Sequence, residues 1–174
     1  MDYRYPIGTF EYEGEISSGQ REIWIKEIEQ LPAQLRATVQ DLTEEQLDIP
    51  YRDGGWTIRQ VVHHVSDSHM NAFTRFKLAL TEDTPTIKPY LEDRWVSLGD
   101  SLEVDIDISL ALLEALHKKW VILLTSLSES DYQKEFYHPE SQQTVRLAYC
   151  LGTYAWHGNH HVAHITAVRD RLQF

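Results

Sequence analysis

The strongest constraint on this 174-residue chain is the spacing of its apolar residues. They recur at the helical period in four separated stretches, and no stretch shows a convincing period-two alternation. From Ser17 or Ser18 onward the run is Ile23, Trp24, Ile28, Leu31, Leu35 and Val39, with Pro32 predicting a kink or a restart. Thr43 and Gln46 have the spacing of a capping box for a short helical turn, and residues 49–55 break the periodicity. Thr57, with Gln60 three residues on, opens a second helix through Ile58, Val61, Val65, Ala72, Phe76 and Leu80 to about residue 81. Residues 82–107, with Pro85, Pro89 and Gly99, predict a long crossing loop, and 108–127 a third helix. Residues 128–143 look irregular, and Thr144 is placed to cap a fourth helix reaching about Arg171. Residues 1–16, with Pro6, Gly8 and Gly14, predict an extended arm. With no repeat, linker or low-complexity tract, the expectation is an all-α chain forming a single domain over 1–174.

Composition narrows the function classes. Sixteen Lys and Arg against 27 Asp and Glu give a net charge of −11, which argues against unspecific binding to nucleic-acid phosphates or anionic lipid. The N-terminus carries no apolar signal-like run, and no stretch approaches the roughly 18 apolar residues of a membrane span. The one cysteine, Cys150, excludes an intramolecular disulfide and suits a reducing, cytoplasmic setting; it reads as a small buried residue. Phosphate-cradling glycine motifs and a GxSxG elbow are missing, and Asp53-Gly54-Gly55-Trp56 is explained as a helix-entry turn.

The informative residues are the histidines. There are nine, and seven fall in two windows: His63, His64 and His69, then His157, His160, His161 and His164. On the fourth helix the buried face runs through Leu147, Leu151, Tyr154, Val162, Ile165 and Leu172. His161 lies roughly 60° from its centre, His157 roughly 100° and His160 roughly 160°, so His160 is expected to face solvent and His164 to be second choice. On the second helix His69 lies on the apolar face, His64 on its flank and His63 nearly away; periodicity does not choose between His64 and His69. A helical histidine near a core is usually a hydrogen-bonded packing residue. Two windows in a short helical chain point further, because bundles build metal sites from inward side chains on facing helices, and three histidines are the ligand set of an open zinc site. HExxH is missing, and with it a built-in glutamate base. His117, beside Lys118 and Lys119, and His138 are expected at the surface or in loops, while Trp56 and Trp156 stand close to the candidate ligands.

Trp56-Thr-Ile-Arg-Gln-Val-Val-His-His64, followed by His157-Gly-Asn-His-His161, resembles the DinB-like superfamily, and is especially similar to its YfiT-type branch of metal-dependent hydrolases. Tyr5-Pro-Ile-Gly8, Pro50-Tyr-Arg-Asp-Gly-Gly-Trp56, Arg75-Phe-Lys-Leu78 and His160-His-Val-Ala-His-Ile165 extend the likeness over nearly the whole chain. The resemblance implies a four-helix bundle in up-down-down-up order with a long loop between the second and third helices, commonly a homodimer. It also implies one divalent metal, zinc or nickel, held by His64, His157 and His161 with water completing the shell, and makes His69 a pocket or core residue. Ala163-His164 departs from the Gly-Gln that ends this motif in many members. The leading expectation is water activation for hydrolysis of a small molecule, with Asp53, Asp67 and His164 as acid–base candidates. An alternative is a bacillithiol-type thiol S-transferase with a metal-stabilised thiolate, Arg59 or Arg75 pairing with a carboxylate of the thiol. A third is a non-catalytic metal-binding bundle. Neither nucleic acid nor membrane is an expected partner.

Overall fold

The computed structural model describes residues 2–174. In chain order the elements are α1 (Ser18–Val39), α2 (Glu44–Leu47), α3 (Ile58–Thr81), α4 (Glu92–Trp95), α5 (Gly99–Leu102), α6 (Ile106–Ser126), α7 (Glu129–Tyr132), β1 (Glu135–His138), β2 (Gln143–Arg146) and α8 (Leu147–Leu172). The start signals act as their chemistry dictates. Ser17 accepts from the Gln20 amide, and Thr43 with Gln46 and Thr57 with Gln60 close reciprocal capping boxes. α1 runs through Pro32 without a break, because packing against α6 and α8 outweighs the one hydrogen bond the proline removes.

Two expectations are corrected. Residues 128–143 are not irregular throughout: Ser128 caps α7, and β1 pairs antiparallel with β2 in the register Glu135↔Arg146, Phe136↔Val145. Thr144 therefore lies in a strand, and α8 begins at Leu147 with Arg146 at its N-cap. Four-residue strands give too few alternations to stand out, and in this pair Phe136 alone is fully buried. The long loop 82–107 holds the short helices α4 and α5.

Contacts between the long helices fix their directions. His63 meets Ser109 and His69 meets His117, so α3 and α6 run parallel. Gly152 faces Trp24, Gly158 faces Leu31, and Arg169 donates to the Thr38 carbonyl, so α8 runs parallel to α1. Arg36 reaches Asp107 while His117 reaches Ile28, so α1 opposes α6, and Arg75 reaching Tyr154 sets α3 against α8. The bundle is up-down-down-up, and the 82–107 segment is the crossover this order requires.

Two apolar clusters fill the bundle. One is built around Trp24, Phe76, Trp120 and Leu151, the other around Leu35, Val62, Leu113 and Ile165. Between them lies a layer of imidazoles: His69 separates Val65 from Ala72, His117 separates Leu113 from Trp120, and His157 and His161 lie between Ala155 and Ile165. Arg59, a candidate for a substrate carboxylate, is instead buried near the entry of α3, where it binds Asp48 at 2.8 Å and Glu44 at 2.6 Å.

Candidate metal centre

α3 and α8 bring His64, His157 and His161 together at one end of the imidazole layer. The Nε2 atoms of His64 and His157 are 3.3 Å apart, and those of His161 and His157 are 3.2 Å apart. One ring nitrogen from each residue lies within 4.8 Å of the others. Zinc–nitrogen bonds of about 2.0–2.1 Å at tetrahedral angles separate ligand nitrogens by ~3.3–3.4 Å, so both pairs have the spacing of a tetrahedral edge. Two close nitrogen pairs converge on His157 Nε2, which holds at most one proton to share between them. A divalent cation matches this donor set in chemistry and spacing.

The electrostatics favour the neutral, ligand form of each ring. Burial pulls His64 down to about 4, helped by the charge of His164. Burial also holds His157 and His161 well below the ordinary histidine value, with neighbouring imidazoles adding to it. Behind the cluster, His157 Nδ1 lies 3.2 Å from His69 Nε2, and His69 Nδ1 lies 2.9 Å from His117 Nε2. His117 Nδ1 donates to the Ile28 carbonyl at 2.5 Å. Behind His161, His164 Nδ1 lies 3.4 Å from His161 Nδ1, and its Nε2 donates to the Arg4 carbonyl at 3.2 Å. His64 Nδ1 is buried without a partner, and the Trp56 ring packs over this imidazole with centroids 4.6 Å apart.

Two cavities reach the cluster. One of about 650 Å³ is lined by Arg75, Tyr90, His138, Tyr149 and Tyr154. The other, about 430 Å³, is lined by Tyr51, Arg52, Trp56, His64 and His161. His157, Glu92 and Asp93 belong to the walls of both.

A sequence profile described as the DinB superfamily matches residues 27–165. The chain belongs to the DinB superfamily. A Bacillus mycoides protein named "Putative metal-dependent hydrolase" is 57% identical over 173 residues, covering 99% of each chain. A Bacillus cereus (strain B4264) protein with the same description is 56% identical over the same length and coverage. Among solved structures, YfiT from Bacillus subtilis, described as "a probable metal-dependent hydrolase with an unusual four-helix bundle topology", superposes with a TM-score of 0.98 at 48% identity. That match covers 100% of this chain and 99% of YfiT.

Within this DinB bundle the other candidates separate clearly. His69 and His164 sit directly behind the cluster rather than in it. His63 points elsewhere, bonding Ser109 and the Val104 carbonyl. His160 was expected in solvent but is buried, stacked on Trp156 with Tyr5 nearby, because the N-terminal arm covers the face that the helical wheel leaves open. His117 was expected at the surface but is 1% exposed; successive helical residues turn by about 100°, so Lys118 is exposed while its neighbour points inward. His138 lies on β1 in the wall of the larger cavity. Of the acid–base candidates, Asp53 is exposed and lines neither cavity. Asp67 also lies outside both, raised to about 6 by burial and by Asp100. Cys150 is buried, and burial pushes its thiol up to about 12, which disfavours the thiolate. A residue that sequence reasoning passed over is Glu92, exposed in the wall of both cavities, its carboxyl raised by desolvation and by the charges of Asp93 and Glu140. It lies in the crossing loop, where periodicity carries no information about orientation.

Proposed function

We propose that this DinB protein is a metal-dependent hydrolase of a small molecule, with His64, His157 and His161 holding one divalent ion. The observation that supports this most is the convergence of three ring nitrogens within 4.8 Å, two of the pairs at 3.2–3.3 Å, beside two open cavities. When bound there, a divalent ion supplies Lewis acidity toward water and a polarised substrate group, its charge undiminished by neutral ligands. Zinc is the first choice for an all-imidazole set of this spacing, with nickel second. Glu92, in the wall shared by the two cavities and with its carboxyl raised, is the acid–base group this reading favours. Arg75 makes no ion pair among the described residues and donates only to Tyr154 Oη at 3.3 Å, leaving its guanidinium available to an anionic substrate group.

The same guanidinium supports a second reading, a thiol S-transferase whose low-molecular-weight thiol carries a carboxylate to Arg75 and is deprotonated at the centre. The buried Cys150, its thiolate disfavoured, is a poor nucleophile of the protein's own. Ester and amide hydrolysis that disappears on chelation and returns with zinc supports the first reading. Conjugation of an electrophilic dye only when the thiol is added supports the second. Metal binding without either reaction leaves a non-catalytic metal-binding bundle. We extend the proposal to a homodimer, supported by the exposed stripe Ile108, Leu112 and Ile122 on α6, and to a cytoplasmic setting, supported by the lone unpaired thiol. No described helix is long and apolar enough to cross a membrane.

A further inference from the structure

Inside α1, Pro32 is the residue that cannot donate to the carbonyl four positions back. That carbonyl is Ile28's, and it receives the His117 Nδ1 proton at 2.5 Å instead. A carbonyl oxygen only accepts, so the proton on His117 must sit on Nδ1, and in the neutral ring Nε2 is then a bare acceptor. His69 Nδ1, 2.9 Å away, is left as the donor to it. The remaining His69 nitrogen, Nε2, is then also bare and accepts from His157 Nδ1 at 3.2 Å. His157 is thereby held with its Nε2 lone pair facing His64 and His161. Reversing the order would set the lone pairs of His117 Nδ1 and the Ile28 oxygen against each other at 2.5 Å. With His69 at 0% and His117 at 1% exposure, water has no access to mediate that contact.

We propose that Pro32, His117 and His69 form a positioning relay that fixes the tautomer of His157 so that its Nε2 lone pair points into the metal centre. The relay rests on the metal-centre reading for its purpose, while its proton order rests on Ile28 alone. A second branch has the same polarity: the Arg4 carbonyl fixes the proton on His164 Nε2, His164 Nδ1 accepts from His161 Nδ1, and His161 Nε2 is left bare. Both branches end on main-chain oxygens, so the α1 backbone and the N-terminal arm set the donor character of the two α8 rings. Partners that orient metal-binding histidines are worth about 10–100-fold in metal affinity.

The experiment has two readouts. Long-range 15N–1H spectra of the histidine rings are recorded on the metal-stripped protein and again with zinc. His69 and His117 are expected as Nδ1–H tautomers in both states, and an Nε2–H tautomer at either in the stripped protein overturns the relay. Zinc affinity is measured by competition with a chromophoric chelator. His117→Leu is expected to bind zinc about 10–100-fold more weakly. His117→Gln, whose side-chain oxygen can accept from His69, is expected to retain most of the affinity. Pro32→Ala adds a backbone donor at the Ile28 carbonyl, to be shared with His117 Nδ1 through its second lone pair; a weakened zinc affinity with α1 intact is expected, and wild-type affinity overturns Pro32's part in the relay. A folded His117→Leu protein with wild-type affinity overturns the relay. Wild-type protein that takes up no zinc yet keeps both Nδ1–H tautomers overturns the metal-centre reading and leaves the proton order standing.

Discussion

Gly158 sits on α8 between His157 and His161, and its missing side chain lets α8 close on α1. A Cβ at this position would stand 2.3 Å from Leu31 Cδ2 and 2.9 Å from Leu31 Cδ1. Carbon atoms in contact stay about 3.5–4.0 Å apart, so in Gly158→Ala either Leu31 turns or α8 retreats by roughly 1 Å or more. Leu31 is 2% exposed, packed in the Val62–Ile165 cluster, and has little room to turn. Overpacking of this kind costs ~1–3 kcal/mol, and this overlap belongs at the upper end. Replacing glycine by alanine in a helix returns about 1 kcal/mol, leaving a net loss of ~1–2 kcal/mol. At ~2–4 °C per kcal/mol for a chain of this size, the thermal midpoint should fall by about 2–8 °C. Gly19→Ala is the control, since its nearest neighbour is Ser17 Oγ at 4.0 Å; it gains helix propensity without an overlap and should not lower the midpoint. The assay is thermal unfolding of metal-stripped protein followed by circular dichroism, with zinc affinity measured alongside. A retreat of α8 carries two ring nitrogens away from His64, so Gly158→Ala should also weaken zinc binding. A Gly158→Ala protein as stable as Gly19→Ala would refute the claim that close approach of α1 and α8 sets the geometry of the centre.

The remaining expectations concern the buried polar groups. Arg59→Met leaves Glu44 and Asp48 without their shared cation and should cost about 1–3 kcal/mol in chemical denaturation, while zinc stoichiometry stays at wild type; lost zinc binding with unchanged stability would contradict this structural role. His117 falls on folding from 6.5 to about 4 through burial, so the unfolded chain takes its proton first as the pH drops. The stability it contributes is complete above about pH 6.5 and is lost toward pH 4, at up to ~1.4 kcal/mol per pH unit. Metal-stripped His117→Gln should therefore lose stability less steeply than wild type between pH 6 and 4.5 (roughly the window in which the buried ring resists protonation), and equal slopes would contradict the burial argument.

Much of the bundle was legible because its signals are local. Thr57 with Gln60 and Thr43 with Gln46 announce helix starts through bonds made within one turn, and the apolar spacing of α1, α3, α6 and α8 reports which faces are buried. What escaped depends on partners distant in sequence. The β1–β2 hairpin is defined by pairing across residues 135–146, with too few buried positions to mark it. His160 is covered by an arm some 155 residues away, as the Tyr5 contact shows. His117 looked exposed because Lys118 and Lys119 follow it, although a helix turns neighbours apart. At the site, the helical wheel placed His157 and His161 on the flank of one face but left His64 and His69 undecided. The structure sets His64 Nε2 against His157 Nε2, and His69 against the opposite nitrogen, Nδ1. That difference lies in the crossing of α3 and α8, which no single helix records.

The most direct test of the account is native mass spectrometry with elemental analysis of the untagged protein, beside His161→Ala and His69→Ala. One divalent ion per chain is expected in the wild type, none in His161→Ala, and a weakened but detectable load in His69→Ala. A wild-type chain that carries no stoichiometric metal after loading with zinc or nickel, or a His161→Ala chain that retains it, would contradict the claim that these imidazoles form a metal centre.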